Sequence, residues 1–277
     1  MNASTQIGNN NTGGMSALLK AVVAAVKLVT AEEIMPRYLK VVHQHKGDGS
    51  LCTEADIAAQ SALTKKLQAI VNVPVLGEEM TATEQHAIWE AGHDGLWCID
   101  PIDGTSNFVR GLPYFAVSVA LLRGEKSVLG VVFDPVGNEI FAAEHERGAF
   151  LNGERLHDRP VTIPLAQALA SVDLKRLNRK LVTKLAADPP YSSQRNFGAS
   201  ALDWCYTAVG RYDMYLHGGQ KLWDYAAGAL IFLESGGYAC CIENDDFALG
   251  DIWQRSVIAA RDKRLFEDWK NWIRAQQ

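Results

Sequence analysis

Apolar residues recur with a helical period across residues 16–39 and again across 53–70, and the polar run His45-Lys46-Gly47-Asp48-Gly49-Ser50 separates the two stretches. This spacing predicts two long helices joined by a loop, the first kinked at Pro36. Short apolar runs follow at 73–76 and 96–99. Each ends directly in acidic residues, the form taken by strands that deliver side chains to a sheet edge. From 115 to 151 the pattern becomes an antiparallel meander. Strands are predicted at 115–122, 128–134, 139–145 and 148–151, with turn signals at Arg123-Gly124-Glu125, Val136-Gly137-Asn138 and Asn152-Gly153. Beyond Pro164 strands and helices alternate, with helices predicted at 174–186, 200–210, 223–235 and 264–274 and strands near 212–216, 238–242 and 256–260. The pattern is that of a mixed α/β (α+β) protein.

Composition narrows the picture. With 48% of its 277 residues apolar, the chain can bury a sizeable core. The reading is one domain over 15–277, in halves of about 15–160 and 161–277, behind a flexible polar tail over 1–14. Apolar residues between Met15 and Met35 are interrupted by Lys20, Lys27, Glu32 and Glu33, which favours an amphipathic helix over a membrane span. A formal charge of −5 without a dense Lys/Arg run offers no footprint for a nucleic-acid backbone or an anionic membrane, so a small-molecule substrate fits better. The five cysteines are odd in number and lack C-x-x-C spacing. They argue against a disulfide framework or zinc site and for a reducing cytoplasm.

Three acidic clusters carry the candidate chemistry: Gly77-Glu78-Glu79, Asp100-Pro101-Ile102-Asp103-Gly104-Thr105, and Trp223-Asp224. In the second, two carboxylates and the Ile102 carbonyl can face one point from a loop stiffened by proline. Mg²⁺ demands near-octahedral oxygen ligands at about 2.0–2.1 Å, and such a loop presets several of them. Gly104 lets backbone approach a phosphate closely. The combination points to metal-assisted hydrolysis of a phosphate ester, with Mg²⁺ as the ion and Mn²⁺ as a possible substitute. Asp224 opens a predicted helix, where capping is the simpler role and a third metal carboxylate the other. Thr53-Glu54-Ala55-Asp56 reads equally as a capping box or as a source for Asp56 to polarise the Thr105 hydroxyl.

These residues resemble the inositol monophosphatase family of magnesium-dependent, lithium-sensitive phosphatases. The likeness runs from about Lys46 to Ala260, through Gly77-Glu78-Glu79, Trp97-Cys98-Ile99-Asp100-Pro101-Ile102-Asp103-Gly104-Thr105-Ser106-Asn107-Phe108 and Leu222-Trp223-Asp224-Tyr225-Ala226-Ala227-Gly228. The resemblance implies a layered α-β-α-β-α sandwich, a homodimer, and two or three metal ions per site. By position it implies Glu78, Asp100 and the Ile102 carbonyl at a first metal and Asp100, Asp103 and Asp224 at a second. Glu78, with Glu79 through water, would serve a third. Asp56 and Thr105 match the family's water-activating pair, the backbone at Gly104 and Thr105 its phosphate cradle, and Lys46 a basic loop near the phosphate. Where relatives that act on inositol phosphate commonly carry a carboxylate, this chain has His217, and Ser200 aligns with the other substrate-side turn. The implied substrate is inositol monophosphate or a related sugar or polyol phosphate. Fructose-1,6-bisphosphatase, histidinol-phosphate phosphatase and 3′(2′),5′-bisphosphate nucleotidase activities are alternatives. Another class of reading is a metal-binding regulatory protein acting through a protein or RNA partner.

Overall fold

A computed structural model describes residues 14–40, 43–45, 51–157 and 162–277. In chain order the elements are α1 (Ala17–Val29), β1 (His43–His45), β2 (Leu51–Thr53), α2 (Glu54–Ile70), β3 (Val75–Gly77), α3 (Ala82–Ala91), β4 (Leu96–Asp103), α4 (Thr105–Arg110), β5 (Ala116–Arg123), β6 (Lys126–Asp134), β7 (Glu139–Glu144), β8 (Gly148–Leu151) and β9 (Glu154–Arg155). They are followed by β10 (Leu169–Asp173), α5 (Arg179–Ala187), β11 (Ser193–Arg195), α6 (Ser200–Ala208), β12 (Met214–Gln220), α7 (Leu222–Glu234), β13 (Tyr238–Cys240), β14 (Arg255–Ala260) and α8 (Lys263–Arg274).

Two sheets organise these elements. Strands β3 to β9 lie side by side in sequence order, antiparallel except for the parallel β3–β4 pair, and the second sheet has the order β11-β10-β12-β14-β13. Alternation along the strands sends side chains to both faces, and each face is covered by helix. Trp97 and Ile99 of β4 join Leu19, Val22, Val26 and Val29 of α1 and Leu63 and Leu67 of α2 in an outer core. Leu96 and Cys98 point the other way, into a central core with Trp204 of α6, Phe232 of α7 and Val257 of β14. A third core packs Val172, Leu216 and Ile258 against Leu265 and Trp269 of α8. The layers therefore run α1/α2, seven-stranded sheet, α6/α7, five-stranded sheet, α5/α8: the α-β-α-β-α sandwich. Among the described residues no helix is long and apolar enough to cross a membrane.

Several boundaries differ from the sequence pattern, each for a local reason. The first helix leaves α geometry at Thr30 and passes through a π turn (Thr30–Ile34) and a 3₁₀ turn (Met35–Arg37). Pro36 has no amide hydrogen and its ring crowds the preceding turn, so the regular ladder cannot run on to residue 39. The helix predicted at 174–186 splits into a 3₁₀ turn (Leu174–Arg176) and α5, because Asn178 caps α5 by accepting the Leu181 amide at 2.9 Å. Strand β12 extends through His217, Gly218 and Gly219 to Gln220, with an irregularity in its pairing to β14. Helices α3 and α4 and strands β1, β2, β9, β10 and β11 were not predicted. The expected tail over 1–14 falls almost wholly outside the described residues, as does Lys46.

Candidate active site

The site begins where β4 stops being apolar. Its pairing with β5 shifts register between Asp100 and Asp103, at Pro101 and Ile102, where proline cannot donate to the ladder. Asp100 Oδ1 accepts the Ile102 amide at 3.0 Å, which locks the bend. Gly104 then adopts φ +93°, and a β-carbon there would meet the Tyr114 carbonyl at 3.1 Å and Ala199 at 3.2 Å. Only glycine turns the chain here without strain and lets α4 start against the loop before α6.

Two helix termini bring the remaining acids in. Ala199, at the cap position of α6, has no side-chain acceptor, and Asp103 supplies one from across the sequence by accepting the Ala201 amide at 2.6 Å. Asp224 accepts the Lys221 amide at 2.8 Å in the first turn of α7, whose Trp223 carbonyl accepts from Ser118 of β5 at 3.1 Å. Carboxylate oxygens of Asp100, Asp103 and Asp224 consequently lie within 4.8 Å of one another. Glu78 follows β3, which is parallel to β4, and its side chain lies within hydrogen-bonding reach of Asp100. Glu79 is turned so that its amide donates to Gln60 at 3.1 Å.

Burial pushes the Asp100 carboxyl well above the usual range, and the charges of Glu78, Asp103 and Asp224 push it further. Asp103 is raised by burial and by Asp224, only partly offset by the Ala201 amide. Burial also raises Asp224, against the Lys221 amide and the nearby His217 and Arg176 side chains. Among the described residues no Lys or Arg forms an ion pair with these three aspartates. Buried like charges of this kind require protons or a cation. Four carboxylates beside a backbone carbonyl form a hard oxygen set, which fits a hard divalent cation such as Mg²⁺ or Mn²⁺ and not a soft one.

Thr105 stands beside the acids. Its Oγ1 reaches the Ile102 carbonyl at 3.1 Å and Asp56 Oδ1 at 3.5 Å. Asp56 is wholly buried, and its other oxygen accepts both the Thr53 amide (2.7 Å) and the Thr53 hydroxyl (2.6 Å). The capping box and the contact with Thr105 therefore coexist, one on each carboxylate oxygen.

A cleft of about 660 Å³ joins these groups to a second wall. Glu78, Asp100, Ile102, Asp103, Gly104, Thr105 and Asp224 line it, as do Ser200 and His217. Ser200 occupies the first helical position of α6, after the cap, and its hydroxyl bonds Tyr215. His217 lines the cleft with both ring nitrogens engaged: Nδ1 accepts the Gly219 amide at 3.1 Å, and Nε2 faces Asp173 at 3.0 Å. Asp173, Lys175, Arg176, Asn196 and Asp203, none of them singled out from the sequence, also line it. A usable signal existed for Asp173. Leu169-Ala170-Ser171-Val172-Asp173 ends an apolar run in an acid, as Leu96-Trp97-Cys98-Ile99-Asp100 does. Asp203 carried no such signal. Burial pushes its carboxyl up to about 7, against hydrogen bonds from Tyr114 (2.9 Å) and Ser171.

Comparison with known proteins agrees with this architecture. Residues 15–274 match a sequence model described as the inositol monophosphatase family. Inositol monophosphatase 2 of Solanum lycopersicum is 35% identical over 250 residues, spanning 86% of this chain and 91% of the tomato protein. Nus factor SuhB of Xylella fastidiosa is 34% identical over 220 residues, 75% of this chain and 74% of that protein. Among solved structures, extragenic suppressor protein suhB from Bartonella henselae superposes with a TM-score of 0.78 at 28% identity, over 93% of this chain and 98% of that one. The chain belongs to the inositol monophosphatase family.

Proposed function

We propose that this protein is a Mg²⁺-dependent phosphatase that hydrolyses a small phosphate monoester, inositol monophosphate or a related sugar or polyol phosphate. The observation that carries the reading is the convergence of Asp100, Asp103 and Asp224 within 4.8 Å, in a cleft that also exposes Thr105. Asp100, Asp103, Asp224, Glu78 and the Ile102 carbonyl are the groups that would hold the ions. Bound divalent cations supply Lewis acidity to the phosphoryl group and lower the pKa of water. Mn²⁺ can replace Mg²⁺ in such an oxygen set.

The protein's own groups orient the reaction. Thr105 Oγ1 takes a proton from the attacking water as its own passes towards Asp56 Oδ1, and Asp56 acts through Thr105 without touching substrate. The first amides of α4, at Thr105 and Ser106, lack intrahelical acceptors and face the turn at Gly104, so they suit a phosphate oxygen. Water adds to phosphorus, the ester P–O bond breaks, and the alcohol leaves with a proton. The reading includes a homodimer in a reducing cytoplasm, as the family resemblance and cysteine usage imply.

A second reading has the same fold acting through a protein or RNA partner. It is favoured by similarity to relatives named Nus factor SuhB. One experiment separates them: phosphate release from inositol phosphates, fructose bisphosphate, histidinol phosphate and adenosine bisphosphate, with and without Mg²⁺ and Li⁺. A clear preference by kcat/KM that disappears without Mg²⁺ supports the phosphatase. Equal and weak turnover of every ester supports the partner reading.

A further inference from the structure

The wall of the cleft contributed by β10 and β12 carries one ionised acid matched to His217 and the Lys175 amide, with two cations beside it. Strand β10 ends at Asp173, which lies in register with His217 of the parallel neighbour β12. Asp173 Oδ1 accepts the Lys175 amide at 2.8 Å, and Oδ2 faces His217 Nε2 at 3.0 Å and Arg176 Nε at 3.6 Å. Since Nδ1 of His217 accepts from the Gly219 amide, Nε2 carries the hydrogen and points it at Asp173. Burial acts to raise Asp173, but hydrogen bonds from His217 and the Lys175 amide, with the charge of Arg176, hold its carboxyl below the usual range. This carboxylate stays ionised, and both of its oxygens face donors of the protein's own.

The turn that follows is locked before any substrate arrives. Gly218 lies so close to the Arg176 carbonyl that any β-carbon would collide with it, and Arg176 Nη1 donates to the Gly219 carbonyl at 3.3 Å. The pairing irregularity of β12 after His217 accommodates this contact. What the turn offers the cleft is positive: the Arg176 guanidinium, 46% exposed, and Lys175, which forms no ion pair with any described residue. A neutral ring of hydroxyls needs acceptors as well as donors, whereas an anionic group needs donors alone.

We propose that Lys175 and Arg176 form a specificity site for a second anionic group, a phosphate or carboxylate, on the alcohol portion of the substrate. This rests on the phosphatase reading and narrows its substrate class to sugar or polyol phosphates whose leaving group itself bears a negative charge. Arg176, held by Asp173 and Gly219, fixes the position of the anion, and Lys175 supplies the free charge.

The test compares matched esters. Glycerol 3-phosphate and 3-phosphoglycerate differ by a carboxylate, and inositol 1-phosphate and inositol 1,4-bisphosphate differ by a phosphate. With Mg²⁺ present, at least one charged ester is hydrolysed with kcat/KM roughly five- to tenfold above its neutral counterpart, mainly through KM, the size expected for one partly solvated charge pair. Lys175→Glu inverts the ratio, Lys175→Arg retains it, and raising salt from 50 to 500 mM flattens it. Whichever pair responds identifies carboxylate or phosphate as the group recognised. Release of phosphate from all four esters with ratios near one, or ratios that Lys175→Glu leaves unmoved, overturns this inference and leaves the phosphatase reading standing. Failure to release phosphate from any of them overturns both.

Discussion

Asp56 offers the sharpest separation of a folding role from a chemical one, because its two carboxylate oxygens serve different partners. Oδ2 holds the Thr53 amide and hydroxyl at 2.7 and 2.6 Å, and Oδ1 faces Thr105 Oγ1 at 3.5 Å. In Asp56→Asn the amide oxygen can take the Thr53 side, keeping the cap of α2, while the NH₂ group turns towards Thr105. Thr105 then has only the Ile102 carbonyl, at 3.1 Å, to receive its hydrogen. Weakening of charge-assisted bonds to neutral ones, with one cap partly kept, costs about 1–2 kcal/mol. Loss of positioned proton transfer costs about 10²–10⁴ in kcat. Urea unfolding should thus show a modest loss, and Mg²⁺-dependent phosphate release a large one. Thr105→Val removes the same relay from the other side, so the two changes should be non-additive in kcat in a double-mutant cycle. An Asp56→Asn enzyme within about threefold of wild-type kcat, or independent effects of the two substitutions, would refute the relay and leave Asp56 a capping residue.

Four further expectations follow from the structure. Gly104→Ala places a β-carbon at φ +93° against the Tyr114 carbonyl and should lower stability by about 1–3 kcal/mol with loss of turnover; unchanged unfolding would mean that the turn relaxes freely. Asp203, raised to about 7 by burial, binds its proton more tightly folded than unfolded, so its contribution to stability is complete below about pH 4 and is lost as pH rises through 7. In EDTA, Asp203→Asn should accordingly gain on wild type over that window by up to about 4 kcal/mol, and parallel urea-stability curves would exclude the effect. Mg²⁺ at 100 times its Kd should stabilise the wild type by about 2.7 kcal/mol, read as a rise in Tm. Asp103→Asn should stand above the wild type without Mg²⁺, respond less to the ion and release little phosphate; a full Mg²⁺ response in this variant contradicts the ligand assignment.

Legibility in the sequence tracked how locally each feature was encoded. The Asp100–Thr105 loop and the Trp223-Asp224 pair were readable because their ligand candidates are contiguous with a strand or helix end; the mixed α/β class followed from the alternation of periods, and the layered sandwich from the family resemblance. The substrate-side wall was not. Asp173 meets His217 only because β10 and β12 pair in parallel across more than forty residues, and no local motif announces which strand becomes the neighbour. His217 could be read from sequence as occupying a carboxylate's place, but not that a carboxylate from the next strand stands beside it. Likewise, no local motif announces that the start of α6 is capped from across the sequence by Asp103. Lys46 lies outside the described residues.

Capping and ligation are competing explanations for an acidic residue only if a carboxylate is treated as a single acceptor. Asp100 accepts the Ile102 amide, Asp103 the Ala201 amide and Asp224 the Lys221 amide. Each bond uses one oxygen and fixes the plane of the carboxylate, so the orientation of three acids from two separate chain segments, the end of β4 and the start of α7, is set by backbone hydrogen bonds made during folding. Such bonds satisfy helix and turn amides that would otherwise be orphaned, which offsets part of the cost of gathering like charges. What they cannot offset is the burial and mutual repulsion of the acids, and the raised carboxyls of Asp100 and Asp103 reflect first their burial and then the neighbouring charges. A divalent cation held among these acids would relieve that repulsion. The same amides at the starts of α6 and α7 thereby hold the carboxylates in the orientation that the proposed ligation needs.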